Sequence, residues 1–309
     1  MESVIISGST GFIGRHLLRC FTERGVRVFA LVRPGGSRPT ETGPDVVTIE
    51  FDPARWEDAA ELLPRGADAF FCLSWGGVAP EDRNRADRQM PNLALTMNAL
   101  RLAAAVEAKR FILPGSTAEY AYSGEPINGR TCPSPQNLYG SAKVAARFLC
   151  GSLAEELGIP FIYAVITGVY SADRRDNNVI YYAITKLLRG ERPSLSKLEQ
   201  RWDYVHIDDV TRALYRIAEK GKPGAFYTIG HGDNWPLANY ILQIRDLIDP
   251  KAELGIGDIP YKNGRIPSSC VDLHDLQADT GFVPQVPFAE GIRSVIAQVK
   301  KEIESESTV

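Results

Sequence analysis

No stretch of this chain approaches the roughly 18 apolar residues that cross a bilayer as a helix, which excludes a spanning segment of that kind. No secretory leader is expected. Met1-Glu2-Ser3-Val4-Ile5-Ile6 lacks its charged and apolar regions and enters a strand pattern at once. Cysteine is sparse and unpaired in pattern: Cys20, Cys72, Cys132, Cys150 and Cys270 are five, scattered, and form no C-x-x-C. That usage suits free thiols in a reducing cytoplasm and argues against disulfides or zinc, so no metal centre is expected. Positive charge is not in excess either, with 35 Lys+Arg against 38 Asp+Glu and a net charge of −3. A general nucleic-acid binder is therefore excluded, while a local pocket for an anionic substrate is not. Internal repeats and low-complexity tracts are absent. What remains is ordinary globular composition, 44% apolar and 24% charged over 309 residues, enough for one large domain or two unequal ones. A soluble cytoplasmic protein is the expectation.

The first two-thirds alternates short apolar runs with amphipathic stretches. Residues 4–7, 27–32, 48–51, 69–73, 110–113 and 160–166 read as strands; 13–24, 93–108 and 139–157 read as helices, the first and last stopped by Gly25 and Gly158. Continuous apolar strands separated by helices predict an α/β fold with a doubly wound parallel sheet. Beyond Thr167, segments rich in Pro, Gly and charge surround shorter elements. Residues 1–167 are accordingly read as a dinucleotide-binding domain and 168–309 as mainly a smaller substrate-binding domain over the sheet's carboxyl edge, with 204–230 returning to the first. The tail 300–309 is expected to fray.

Gly8-Ser9-Thr10-Gly11-Phe12-Ile13-Gly14 follows the first strand and opens the first helix. Gly8 permits the tight turn, Gly11 lets backbone N–H groups approach a pyrophosphate, and Gly14 allows close helix–strand packing. The strand–turn–helix context makes this a dinucleotide site, with Phe12 and Ile13 part of it. The second strand ends without the acid that usually grips the ribose of NAD; Val32 and Arg33 stand there. A guanidinium in that place favours a 2′-phosphate and hence NADP(H), with NAD(H) left open. Asp52 either receives the adenine amine or caps the following helix.

Tyr139-Gly140-Ser141-Ala142-Lys143 puts a phenol and an ammonium on one helix face, where the cation favours the phenolate. The same spacing recurs at Tyr182 and Lys186. Only Tyr139 is preceded by a strand end bearing hydroxyls, Ser116 and Thr117, so Tyr182 and Lys186 are assigned to a structural or substrate-side helix. A carbonyl oxygen held by Ser116 and Tyr139 would receive a proton as hydride reaches its carbon.

With these motifs, and with Ser116-Thr-Ala-Glu-Tyr120, Trp202-Asp-Tyr-Val-His-Ile-Asp-Asp209 and Phe226-Tyr-Thr-Ile-Gly230, the chain resembles the extended short-chain dehydrogenase/reductase family. The likeness is strongest to its nucleotide-sugar epimerase/dehydratase group and spans nearly the whole length. It implies a Rossmann domain with a smaller C-terminal substrate domain, a nucleotide-sugar substrate, and homodimers joined through helices. It implies Ser116 as the hydroxyl that holds the sugar, Tyr139 as acid/base, and Lys143 as the lysine on the nicotinamide ribose. It further implies Leu73 and Ser74 lining the cofactor, Ser74 and Thr117 beside the substrate, and Asn178 and Val179 near the sugar diphosphate.

Departures from the family pattern narrow the reaction. Dehydratases of the group place Asp-Glu after the catalytic threonine, whereas Thr117-Ala118 stand at the positions compared here. Cys132 and His206 do not match the positions used by members that epimerise and then reduce, and both are read as structural. Trp202 replaces an arginine for the diphosphate, and Gly168-Val169-Tyr170 stands where an asparagine is usual, so Arg201, Arg174 or Arg175 is the candidate substitute. The expected activity is NADP(H)-dependent reduction of a keto group, at C4, of a nucleotide-activated deoxysugar. The alternative is a nucleotide-sugar 4-epimerase with tightly bound NAD, and a third reading is a non-catalytic dinucleotide-binding regulator.

Overall fold

Short apolar runs become the strands of one parallel sheet in the computed structural model, which describes residues 1–36, 43–174, 178–261 and 266–306. Arg175 lies outside the described residues. The strands are β1 (Ser3–Ser7), β2 (Arg27–Val32), β3 (Val46–Glu50), β4 (Ala69–Cys72), β5 (Phe111–Ser116), β6 (Phe161–Ile166), β7 (Gly168–Tyr170), β8 (Ser194–Leu195), β9 (Arg201–Trp202), β10 (Tyr204–His206), β11 (Phe226–Ile229), β12 (Trp235–Pro236) and β13 (Gly255–Ile256). The helices are α1 (Phe12–Thr22), α2 (Trp56–Ala60), α3 (Ala86–Gln89), α4 (Pro91–Ala105), α5 (Leu138–Leu157), α6 (Val179–Leu188), α7 (Ile207–Lys220), α8 (Leu237–Ile248), α9 (His274–Thr280) and α10 (Phe288–Glu306). None of the described helices is long and apolar enough to cross a membrane.

Seven strands form the central sheet in the order β11-β6-β5-β4-β1-β2-β3, all pairs parallel. The order reverses between β1 and β4, and a doubly wound sheet binds its ligand at the carboxyl ends beside that point. Alternation along β1 feeds two cores. Ile5 joins the layer under α4 and α5, while Val4 and Ile6 join the layer under α1 and α7. This is the Rossmann architecture that the alternating sequence predicts. β11 pairs with β6, and Ile207, Val210 and Leu214 of α7 lie in the second core, so this late segment builds the sheet layer. Leu276 and Phe282 join that core too, which the sequence pattern did not indicate.

A third core collects α6, α8 and α10 around rings packed edge to face, with Tyr204–Tyr240 centres 5.0 Å apart and Tyr240–Phe288 4.8 Å. Gly168 is required beside it, because a Cβ there would sit 2.9 Å from the Trp202 indole nitrogen and the Tyr204 ring. The expected helix 93–108 ends earlier, at Ala105. Glu107 takes a left-handed φ of 56°, and Ala108 N–H turns back to the Ala103 carbonyl at 2.9 Å. A Schellman-type stop normally uses glycine, so this one left no mark in the sequence.

Asp203 ties the ends of β6 and β11 together. Its fully buried carboxylate accepts the His231 and Gly232 N–H groups at 2.8 and 2.6 Å and the Thr167 hydroxyl at 3.2 Å. Asp203→Ala strands those donors away from water and is expected to lower the unfolding free energy by about 1–3 kcal/mol in urea denaturation.

Candidate active site

The glycine turn lies against the end of β4. Gly8 has φ +74°, and a Cβ on it would come within 2.7 Å of the Leu73 carbonyl carbon and the Ser74 nitrogen. A Cβ on Gly14 would come 2.1 Å from the Gly8 carbonyl oxygen, so α1 seats directly on the turn. Gly11 is the N-cap residue of α1 and offers no side-chain oxygen, which leaves the first-turn N–H groups of α1 free to point at an anion. The residues fit the pyrophosphate of a dinucleotide. Arg33 is exposed just past β2, and its carbonyl receives the Gly36 N–H at 2.8 Å. Asp52 caps the short 3-10 turn Pro53–Arg55, accepting from Ala54 N–H at 2.9 Å.

Tyr139 is the second residue of α5, whose opening N–H groups need acceptors. Asn137 Oδ1 accepts from Gly140 N–H at 2.9 Å, Asn84 Oδ1 from Leu138 N–H at 3.2 Å, and the Arg83 carbonyl from Tyr139 N–H at 2.9 Å. Two of these three acceptors come from the loop after β4, which is thereby fastened to the helix. On the other side, a Cβ on Gly140 would lie 2.4 Å from the Ala118 carbonyl oxygen. The lack of a side chain lets α5 settle onto the end of β5, which brings the Tyr139 phenol close to the Ser116 hydroxyl. Ser116 Oγ also accepts from Ala118 N–H at 3.2 Å. Lys143, one turn along, is buried, and its Nζ donates to the Pro114 carbonyl at 3.1 Å.

The electrostatics of the pair differ from the sequence expectation. Lysine at this spacing was expected to lower the Tyr139 pKa, but the phenol lies above its ordinary value. Burial is the largest cause; the Ser116 hydrogen bond lowers it, Glu119 raises it, and the cations that lower it are Arg83 and Arg174. Lys143 is pushed down to about 8, first by burial, with Glu119 opposing. A neutral phenol backed by cations is a proton donor at neutral pH, as carbonyl reduction requires.

Sequence reasoning missed Glu119. It is fully buried; its Oε1 accepts from Ser116 N–H at 2.6 Å and from the Tyr163 hydroxyl at 2.8 Å, while Oε2 is buried without a hydrogen-bond partner. Thr117 and Ala118 indeed carry no carboxylate, yet one lies a residue further on and faces inward. Burial raises it to about 7 against its donors and Lys143. The signal was available: Ser116-x-x-Glu119 is a capping-box spacing, and both reciprocal bonds are made.

The other candidates have separate places. Thr117 is buried beside Ser116, and Leu73 and Ser74 border the glycine turn. Asn178 caps α6 by accepting from Tyr181 N–H at 2.9 Å, Val179 packs against the third core, and Arg201 is exposed on β9. Among the described residues no hydrogen bond or ion pair joins these three to Tyr139. Arg174 lies 4.8 Å from the centre of the Phe12 ring, and the neighbouring Asp173 bonds Arg15 and His16 of α1 at 2.8 and 2.9 Å. Tyr182 accepts from Ser194 N–H at 3.2 Å and Lys186 pairs with Glu191. His206 caps α7 and Cys132 is exposed.

A glycine turn on α1 at the switch point and a hydroxyl–phenol–ammonium group at the end of β5 define an NAD(P)-dependent enzyme of the extended short-chain dehydrogenase/reductase type. The chain belongs to the NAD dependent epimerase/dehydratase family, whose model matches residues 4–230. It is 23% identical over 327 aligned positions to GDP-6-deoxy-D-mannose reductase of Pseudomonas aeruginosa, covering 99% of each protein. Its fold is similar to that of UDP-glucose 4-epimerase of Thermotoga maritima, solved with UDP-glucose (TM-score 0.82, 20% identity, 97% and 99% of the two chains). It is also similar to that of RMD from Pseudomonas aeruginosa complexed with NADPH (TM-score 0.77, 20% identity, 97% and 100%).

Tyr139→Phe is expected to abolish turnover while dinucleotide affinity, followed by fluorescence titration, stays near wild type. Glu119 gives a stability test with a defined sign. Its folded value of about 7 lies above the ordinary 4.5, so its contribution is complete below about pH 4.5 and is lost as pH rises through about 7. Glu119→Gln is therefore expected to flatten the fall in urea midpoint across that window; Lys143 titrates above it, near 8.

Proposed function

We propose that this protein reduces a keto group, at C4, of a nucleotide-activated deoxysugar with NADPH. The observation that carries the reading is the meeting of Ser116 at the end of β5 with Tyr139 on α5, with Lys143 buried one turn on. The dinucleotide would lie on Gly8, Gly11, Phe12, Ile13 and Gly14, border Leu73 and Ser74, and meet Arg33 and Asp52 at its adenosine end. Bound there, it supplies hydride to the carbonyl carbon. Ser116 holds the carbonyl oxygen, Tyr139 gives it a proton, and Lys143 carries positive charge beside the phenolate that forms. The similarity to a GDP-6-deoxy-D-mannose reductase along both whole chains supports reduction, and the NADPH complex among the structural neighbours supports the cofactor.

Elimination of water is disfavoured because Ala118 carries no carboxylate and that of Glu119 is committed to Ser116 and Tyr163. The rival is 4-epimerisation, which uses the same three side chains and returns the hydride to the same sugar. Residues 168–309, less the returning segment 204–230, are the substrate body in this reading. Ser74, Thr117, Asn178 and Val179 border the nucleotide sugar, and Arg201 or Arg174 meets its diphosphate. A homodimer through α4 and α5 would cover Leu95, Phe148 and Leu149, apolar side chains left exposed on those helices.

The test is NADPH consumption across a panel of nucleotide 4-ketosugars, after identifying any dinucleotide that co-purifies. Net oxidation of NADPH supports the reductase; stoichiometric bound NAD with no net consumption selects the epimerase. Arg33→Ala is expected to reduce the preference for NADPH over NADH by roughly tenfold or more, the value of a charge-assisted hydrogen bond to the 2′-phosphate.

A further inference from the structure

The loop after β4 delivers an aromatic ring to the reactive pair. The Lys143 Nζ lies 3.8 Å from the centre of the Trp75 ring and donates to the Pro114 carbonyl at 3.1 Å. The Tyr139 ring stands nearly perpendicular to the same indole, with centres 6.2 Å apart. One side chain therefore touches both members of the pair, and the ammonium rests between a π face and a carbonyl in place of water.

The indole is held from behind. Trp75 Nε1 donates to Gln89 Oε1 at 3.1 Å, and Gln89 Nε2 donates to the Gly77 carbonyl at 2.7 Å and the Asp82 carbonyl at 3.2 Å. Asn92 grips the neighbouring peptide from both ends, accepting from Gly76 N–H at 2.8 Å and donating to the Gly76 carbonyl at 3.1 Å. Gln89 is 1% exposed and Asn92 4%, so these amides are a buried, satisfied network that fixes the loop. Surface packing of a tryptophan would need none of it.

We propose that Trp75 is a positioning residue for the reaction: its indole face, oriented by Gln89, holds the Lys143 ammonium where it serves Tyr139. The inference rests on the reading of Tyr139 and Lys143 as the reactive pair. The ring's negative face favours the charged lysine and opposes the burial that disfavours it. The titratable groups that also bear on Lys143 are Glu119 from the 3-10 turn Thr117–Glu119, Cys72 from β4 and Cys150 from α5.

The test is a carbon-13 NMR titration of the full chain labelled at lysine, with the Lys143 signal assigned by Lys143→Met. Trp75→Leu keeps an apolar cover without the π face and is expected to move the Lys143 titration down by roughly half to one and a half pH units. Trp75→Phe is expected to recover most of that shift. An unchanged or raised titration in Trp75→Leu overturns the proposal. If Trp75→Leu does not fold, Gln89→Leu, which frees the indole to turn, takes its place with the same two outcomes. In turnover, Trp75→Leu is expected to cut kcat about tenfold with little change in KM for the ketosugar, and Trp75→Phe to restore it; a loss confined to KM also overturns it. If wild type reduces no ketosugar, the proposed reaction fails, while the lysine titration still decides the role of Trp75.

Discussion

The first N–H groups of α5 have no partners within the helix, and the shape of the site follows from where they find them. Asn137 satisfies one by its own side chain, an ordinary cap. Arg83 and Asn84 satisfy the two that precede it, which fastens the loop after β4 to the helix bearing the phenol. Gly140 then lets the same turn of helix press onto the end of β5. Three segments far apart in the chain meet within one helical turn, each contributing a group: Ser116 from the strand, Tyr139 and Lys143 from the helix, and Trp75 with Arg83 from the loop. Misplacing that turn would separate all of them at once.

Burial sets the chemistry of what has been gathered. A phenol in water resists giving up its proton, and burial strengthens that resistance for Tyr139. Arg83 and Arg174 oppose that shift from two loops. Lys143 and Glu119 are coupled through the same low-dielectric interior. Each is moved toward its neutral form by burial and toward its charged form by the other. Glu119 also holds the Ser116 amide, so one carboxylate fixes the backbone of the hydroxyl clamp and biases the lysine behind the phenol.

Much of this was legible in the residues. The glycine turn announced itself because strand, tight turn and helix must follow one another within seven residues, and each glycine answers a local demand. That Tyr139 rather than Tyr182 meets Ser116 was legible from a strand end bearing hydroxyls. The stop of α4 at Glu107 was not, since a non-glycine residue accepts the left-handed conformation there. The capping-box spacing of Glu119 was legible, but its inward placement against Tyr163, 44 residues away, was not. Trp75 and Gln89 carried no readable pattern. Their meeting joins a loop to a short helix fourteen residues on, and no periodicity links them.

The sequence by itself determined the parallel sheet, the glycine turn into α1 and which hydroxyl, phenol and ammonium meet at the end of β5. Strand burial, glycine conformation and helical spacing are local properties that a linear pattern must display. Tertiary structure alone decided how those groups behave. The raised Tyr139, the lowered Lys143, the inward Glu119 and the indole beneath the ammonium depend on which surfaces exclude water and which charges face one another. Those are distances between residues far apart along the chain, and only folding fixes them.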